Sequence, residues 1–384
     1  VSVPILISAG EASGDRYAAG LARALGRMCP EAEFFGSTGV EMRAAGVRTV
    51  VDSAALSVLG LVEVVRHIPR IYGEFRKLIQ AAERERPRLA VLVDSAGFHL
   101  KVARALHDRG IPVVQFVAPQ AWAWRRGRVK KLRRNVAELH CIFPFEEQFF
   151  RAHGVPAHYV GHPLARTVQP RHGREEFLAS CDLDPRRPVV TLCPGSRRGE
   201  IGRHLPILGE TVARIAAQMD CSFLLAAPTG ARARHGEAFF APLTSRARVR
   251  YCEGESWDAM GHADLTLAAS GTVTVEAALL GAPMITYYRV HPLTYFIGKP
   301  LVDVPFYSMV NLVAGRALIE EHIQADMTAE RLSASALRLL ANPDERGRMR
   351  VDLLKLREAL ATADDPIETS ARRILNYVEK GITR

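Results

Sequence analysis

Three features of the 384-residue chain predict an α/β protein built from two doubly wound parallel-sheet domains in tandem. From residue 3 short apolar runs alternate with amphipathic segments, at the spacing of parallel strands joined by crossover helices. The alternation restarts after a Pro-, Arg- and His-rich passage at 162–172, and beyond Thr328 no strand-like run remains. The length agrees, since a chain of this size ordinarily divides into domains of roughly 150–200 residues. Domains are therefore expected at 1–168 and 169–355, with a helical tail at 356–384 that packs locally or crosses back to the first domain. Such a pair is expected to form an interdomain cleft at the carboxyl edges of its sheets, where helix N-termini gather partial positive charge.

In the first half, Val3–Ile7, Glu33–Gly36, Arg48–Val51, Leu89–Val93, Pro112–Val117 and Leu139–Phe143 read as strands. Helical periodicity marks Tyr17–Met28, Leu61–Arg86, His99–Arg109 and Glu146–His153. In the second half strands fall at Val189–Cys193, Ser222–Ala226, Val249–Tyr251, Leu265–Ala268 and Met284–Tyr287. Helices belong near Gly202–Met219, Ser256–Gly261 and Val273–Leu280.

Composition narrows the function. Hydrophobic residues at 48% and charged residues at 24% exclude a disordered or collagen-like chain. No apolar stretch is long enough to cross a bilayer. The start has no basic stretch and does not read as a signal peptide. Six cysteines without a CxxC pair read as buried thiols of a reducing compartment, so a cytoplasmic protein is expected. The net charge of +10 points to anionic partners: nucleic acid, phosphorylated metabolites or acidic lipid. No zinc- or calcium-binding spacing is present, so neither metal nor cofactor is expected.

The chemistry is expected in loops after strands. Ser8–Asp15 contains Gly10 and Gly14, which permit tight turning and close ligand approach. It matches neither the dinucleotide motif nor the P-loop. Ser13 or Asp15 could cap the following helix, or Glu11 and the loop backbone could face an acceptor. Asp94 ends a wholly apolar run, where a partly desolvated carboxylate could take a proton from an attacking hydroxyl. It could equally cap a helix beginning near Phe98 or hold the Ser95–Gly97 turn. His99 is either a packed helix-start residue or a catalytic partner.

Trp122 and Trp124 precede seven basic residues between Arg125 and Arg134. No nucleic-acid-binding motif surrounds them, so an anionic sugar or lipid is favoured over nucleic acid. The stripe Ala54–Tyr72 either packs on a sheet or lies on a membrane. In the second half, Gly195, Ser196 and Arg197 either have the donors for a diphosphate leaving group or form a plain strand–turn–helix junction. Ser270, Gly271 and Thr272 form a second such loop, with Glu276 one turn on to meet ribose hydroxyls. Asn311, Glu320, Glu321 and Gln324 could finish that pocket.

Together these segments resemble the lipid-A-disaccharide synthase family, bacterial inverting glycosyltransferases of the two-domain GT-B arrangement. The marks are Ala9–Asp15, Trp122–Arg125 with Arg128–Lys130, Pro144–Glu146, Gly161–Leu164, Pro194–Arg197 with Glu200–Ile201, Ser270–Thr272 with Glu276–Ala277, and Asn311–Gly315. They run in order along almost the whole chain. The resemblance implies transfer of 2,3-diacylglucosamine from its UDP derivative to 2,3-diacylglucosamine 1-phosphate (lipid X), releasing UDP. The candidate donor contacts are Gly195, Ser196, Arg197, Glu200, Ser270, Gly271, Thr272, Glu276, Asn311, Glu321 and Gln324. Asp94, Glu11 and Asp15 are the candidate catalytic acids. The implied location is peripheral, on the anionic cytoplasmic face of the inner membrane of a Gram-negative bacterium, with a homodimer admitted. The chain departs from the family at Asp94-Ser-Ala-Gly-Phe-His99, where the family commonly reads Asp-Ala-Pro-Asp-Phe-Asn: Gly97 replaces the second acid and His99 the asparagine. Rival expectations are a GT-B relative with another UDP-hexosamine or lipid acceptor, and a catalytically impaired homologue that only binds.

Overall fold

The computed structural model describes residues 2–56, 61–123, 127–244, 249–292, 295, 296, 299 and 304–380. The chain forms two compact units. One contains the chain up to Pro163 together with the segment from Leu360; the other contains Leu164–Lys299 and Val304–Ala359.

The first unit runs β1 (Val3–Ala9), α1 (Ala12–Met28), β2 (Ala32–Thr38), α2 (Val40–Ala44), β3 (Arg48–Asp52), α3 (Leu61–Glu85), β4 (Leu89–Val93), α4 (Ala96–His107), β5 (Val113–Phe116), α5 (Gly127–Asn135), β6 (Glu138–Cys141), α6 (Pro144–Ala152) and β7 (Ala157–Tyr159). Its seven strands are all parallel, in the order β3-β2-β1-β4-β5-β6-β7. All five residues of β4 are buried, as a central strand covered on both faces requires, which is why it reads as an unbroken apolar run. Within α3, Leu78, Ile79, Ala81 and Ala82 pack into the core, whereas Ile68 and Tyr72 are exposed. Residues 57–60 of the predicted stripe lie outside the described residues.

The second unit contains α7 (Leu164–Thr167), α8 (Arg174–Ser180), β8 (Val189–Cys193), α9 (Arg198–Ala216), β9 (Ser222–Ala227), α10 (Ala231–His235), α11 (Glu237–Thr244), β10 (Val249–Glu253), α12 (Ser256–Gly261), β11 (Leu265–Ala269), α13 (Thr272–Leu279), β12 (Met284–Tyr288) and β13 (Glu320–Ile323). Its six strands are again parallel, in the order β10-β9-β8-β11-β12-β13. Strand-free helices follow at Ala329–Ala341, Pro343–Leu360 and Pro366–Lys380. The last belongs to the first unit. There Gly20 of α1 leaves room for Ile367, with a Cβ position 3.5 Å from its Cγ2. Ser370 also hydrogen-bonds the buried His140, and Arg373 and Tyr377 bond Glu138.

Both sheets reverse their winding between two central strands: β1 and β4 in the first unit, β8 and β11 in the second. Ligands of open parallel sheets bind outside the strand carboxyl ends at such switch points. The loops after these four strands are those singled out in the sequence.

Candidate functional sites at the two switch points

In the first unit, Asp94 and Ser95 follow β4 with φ of 56° and 48°. Left-handed backbone at consecutive non-glycine residues stores strain, of order 1–3 kcal/mol each, and persists only where neighbours enforce it. Three contacts enforce it here. The Asp94 N–H continues the sheet by donating to Phe116 O at 2.9 Å. Gln115 Nε2 donates to Asp94 O at 3.2 Å. His99, fully buried, places Nδ1 2.8 Å from the same carbonyl and Nε2 2.9 Å from Ser8 Oγ on β1. A carbonyl only accepts, so Nδ1 carries the proton; burial pushes the imidazole down to about 4, which keeps it neutral. His99 is thus both a packed residue and a brace for Asp94. The helix α4 starts at Ala96 with Ser95 as its N-cap residue, so Asp94 stands ahead of the cap.

The loop after β1 lies against this turn. A Cβ on Gly10 would sit 2.3 Å from Ser95 Oγ, and one on Gly14 would sit 3.3 Å from Val93 O and 3.6 Å from Asp94 Cβ. Glu11, half-buried, is the N-cap residue of α1, and its carbonyl accepts from Asp15 N at 2.8 Å. Asp15 does not cap its own helix. Its Oδ1 accepts from Gly39 N (2.8 Å) and Met42 N (3.2 Å), and its Oδ2 from Glu41 N (2.8 Å). That geometry makes it the N-terminal anchor of α2 rather than a poised proton acceptor. Gly97 is exposed, and a Cβ there would meet nothing within 4 Å.

Trp122 is a packing residue. Its Nε1 donates to the buried Glu146 at 3.1 Å, and its ring meets Phe145 edge-on at 5.0 Å. Burial pushes the Glu146 carboxyl up to about 8. Trp124, Arg125 and Arg126 lie outside the described residues. On α5, Val129 and Leu132 are buried while Lys130, Lys131, Arg133 and Arg134 are exposed. Among the described residues no carboxylate pairs with these four cations, so the predicted cationic face is present.

In the second unit, β8 and β11 pair in the register Cys193↔Ala268, which sets Pro194–Arg197 beside Ser270–Thr272. Gly195 has φ of 110°, and a Cβ there would lie 2.7 Å from the Glu200 side chain, so glycine is required. Arg197 is the N-cap residue of the 19-residue α9, which directs its positive end toward this loop. Ser196 is exposed and Arg197 half-exposed, while Glu200 is nearly buried beneath Gly195. Burial raises the Glu200 carboxyl, opposed by the Arg197 charge and by hydrogen bonds from the main-chain N–H groups of Arg197 and Ser196. Gly271 and Thr272 are exposed and Ser270 is half-exposed. The Ser270 N–H donates to Tyr287 O at 2.8 Å, tying this loop to β12. Glu276 accepts from Trp257 Nε1 at 3.1 Å.

Two expected ligand contacts are otherwise engaged. Glu321 accepts from Tyr307 N (2.8 Å), Ser308 N (2.9 Å) and Asn311 Nδ2 (2.8 Å). Asn311, buried, accepts from Leu318 N and Ile319 N at 2.8 and 2.9 Å and donates to Ile319 O at 2.9 Å. This pair brackets the Tyr307–Ile319 segment, so its geometry is that of a support. Gln324, with φ of 57°, follows β13 at the same sheet edge as Arg289, because Tyr288 pairs with Ile323. His204 and Arg289, absent from the sequence expectations, also belong to this edge. No motif marks them; a histidine one turn beyond Glu200 on α9 is the only signal.

A sequence profile of the lipid-A-disaccharide synthetase family matches residues 5–374. The chain is 55% identical to the lipid-A-disaccharide synthase of Solibacter usitatus over 99% of its own length and 98% of the relative's. It is 42% identical to that of Geobacter sulfurreducens, covering 93% of each chain. Among solved structures, the S. aureus MnaA–UDP co-structure superposes with a TM-score of 0.65 at 11% identity, covering 100% of this chain and 98% of that one. The calicheamicin glycosyltransferase CalG4 superposes with a TM-score of 0.60 at 16% identity over the whole of both chains. Likeness at that identity establishes the fold alone, here the two-domain glycosyltransferase arrangement. Profile and full-length relatives together establish that this chain belongs to the lipid-A-disaccharide synthase family, the glycosyltransferases of lipid A biosynthesis.

Proposed function

We propose that the chain transfers 2,3-diacylglucosamine from its UDP derivative to the 6-hydroxyl of lipid X in a single inverting displacement. The acceptor oxygen bonds to the anomeric carbon as the bond from that carbon to UDP breaks. Asp94 takes the hydroxyl proton, and UDP leaves with the bonding pair. The observation that carries this reading is the enforced left-handed turn at Asp94, braced by His99 and Gln115 at the β1/β4 switch point. Strain retained at a strand end is characteristic of functional sites. Glu11 contributes to holding the acceptor, while Asp15 anchors the N-terminus of α2.

The donor half of the reading assigns UDP to the second unit. Gly195–Arg197, the N-terminus of α9 and Ser270–Thr272 supply hydrogen-bond donors and positive charge to the diphosphate, with Glu276 near the ribose. Glu200, Asn311 and Glu321 support those loops, and Gln324 lines the same edge. No metal is invoked, because Arg197 and the amide donors supply the countercharge. The exposed cations of α5, with Ile68 and Tyr72 of α3, support peripheral association with an anionic membrane in the cytoplasm. A homodimer is compatible with this assignment.

Mass analysis of products after incubation with UDP-2,3-diacylglucosamine and lipid X tests the reaction, and a tetraacyl disaccharide 1-phosphate is expected. Asp94→Asn should reduce turnover by about 10²–10⁴-fold, the usual worth of a general base, while leaving UDP affinity unchanged. Turnover equal to the parent would remove Asp94 from the role.

A further inference from the structure

His204 is fully buried in the second turn of α9. Its Nδ1 lies 2.8 Å from Pro194 O, and its Nε2 lies 3.1 Å from the main-chain N of Arg289. A carbonyl only accepts and a peptide N–H only donates, so the ring can be only the neutral tautomer protonated at Nδ1. Burial lowers its basicity, and the charges of Arg203 and Arg289 act the same way. Tyr287 meets the ring edge-on at 5.2 Å and Tyr288 at 5.8 Å. Around it the same two segments are pinned again: Tyr287 Oη donates to Cys193 O at 2.9 Å, and Arg203 Nε donates to Arg289 O at 3.3 Å. The last carbonyl of β8, the first carbonyl beyond it, and both main-chain polar groups of Arg289 are therefore fixed from α9 and β12.

We propose that His204 is a positioning residue for the donor diphosphate, holding the Pro194–Arg197 loop and the exposed Arg289 in one register so that both address the same nucleoside diphosphate. The proposal rests on the assignment of the diphosphate to Gly195–Arg197. A side chain that only filled space would be replaceable by leucine. One that joins an acceptor to a donor needs both functions, which glutamine retains through its amide.

The test is calorimetric binding of UDP to the full-length chain, with thermal unfolding alongside and Michaelis constants for both substrates. His204→Leu should weaken UDP binding at least tenfold and raise KM for the UDP-sugar, leaving KM for lipid X unchanged. His204→Gln should recover most of the affinity. His204→Asn, polar but too short to span both partners, should show the leucine loss and gives the same reading if the leucine variant fails to fold. Parental UDP affinity in the leucine or asparagine variant overturns the proposal. Parental affinity in Arg197→Ala would instead overturn the loop assignment beneath it.

Discussion

A carboxylate that accepts three main-chain N–H groups is costly to remove, and Asp15 is such a group. Asp15→Ala should destabilise the chain by about 2–3 kcal/mol, the combined worth of a helix cap and a charge-assisted hydrogen bond. Urea unfolding measures this, and an alanine variant of parental stability with collapsed turnover would return Asp15 to the chemistry. Gly97 poses the opposite case, since nothing surrounds its Cβ position. Gly97→Asp replaces a glycine and adds an acid in the first turn of α4, so it should stabilise by about 0.5–1 kcal/mol. With Asp94 as the base, as proposed, turnover should stay near parental; a tenfold gain would mean that the position-97 acid takes the proton instead. Residue types at loop positions were legible in the sequence, but their partners were not. Asp15, Asn311 and Glu321 are as polar as any ligand-binding group, and only the fold reveals that they face their own backbone. His204 was illegible for the converse reason, because an isolated histidine in an amphipathic helix carries no pattern.

At the scale of elements, legibility followed burial. The central strands β4 and β8 are buried on both faces and announce themselves as apolar runs. The short edge strands β7 and β13 do not. Glu320-Glu321-His322-Ile323 pairs with β12 through its backbone, and edge strands favour such charged side chains. The helix α5 was legible only as a charge run; its buried Val129 and Leu132 supply the orientation that turns Lys130, Lys131, Arg133 and Arg134 outward. The helix α4 packs against both α3 and α5, and its Lys101 and Arg104 are exposed as well. Each basic residue near an anionic bilayer contributes about 1 kcal/mol. Reversing the four α5 cations to glutamate should therefore reduce binding to anionic vesicles at low salt by more than 100-fold, with little change in folding stability. Vesicle sedimentation tests it, and unchanged partitioning would remove α5 from the membrane surface. Ile68→Ser with Tyr72→Ser should diminish instead the part of the binding that survives high salt.

For the whole molecule, buried histidines set the response to acid. His99 and His162 are held down to about 4, and His140 and His204 are also lowered, with burial the leading cause in each. In the unfolded chain these rings titrate near 6.5. Between about 6.5 and 4 the unfolded chain therefore binds protons that the folded chain refuses, and stability falls as pH falls. A shift of this size corresponds to about 3 kcal/mol for His99 and for His162. Glu138, lowered to about 2 despite its burial by bonds from His140 and Arg373, adds a further loss below about 4.5. Glu146 acts with the opposite sign. Its folded carboxyl, raised to about 8, keeps a proton that the unfolded chain releases above about 4.5, so its contribution falls as pH rises through that window. Below 6.5 four histidines outweigh one acid. Above 6.5 the histidines are neutral in both states and Glu146 alone of these continues to act, so stability should be greatest near pH 6.5. Urea midpoints between pH 4 and 9 should trace that maximum. Glu146→Gln, which cannot titrate, should flatten the alkaline limb, and His99→Asn should shallow the acid limb by about one proton. Stability that rises from pH 6.5 to 4.5 would mean that these rings are charged in the folded chain, and the neutral braces at Asp94 and Pro194 would fail with it.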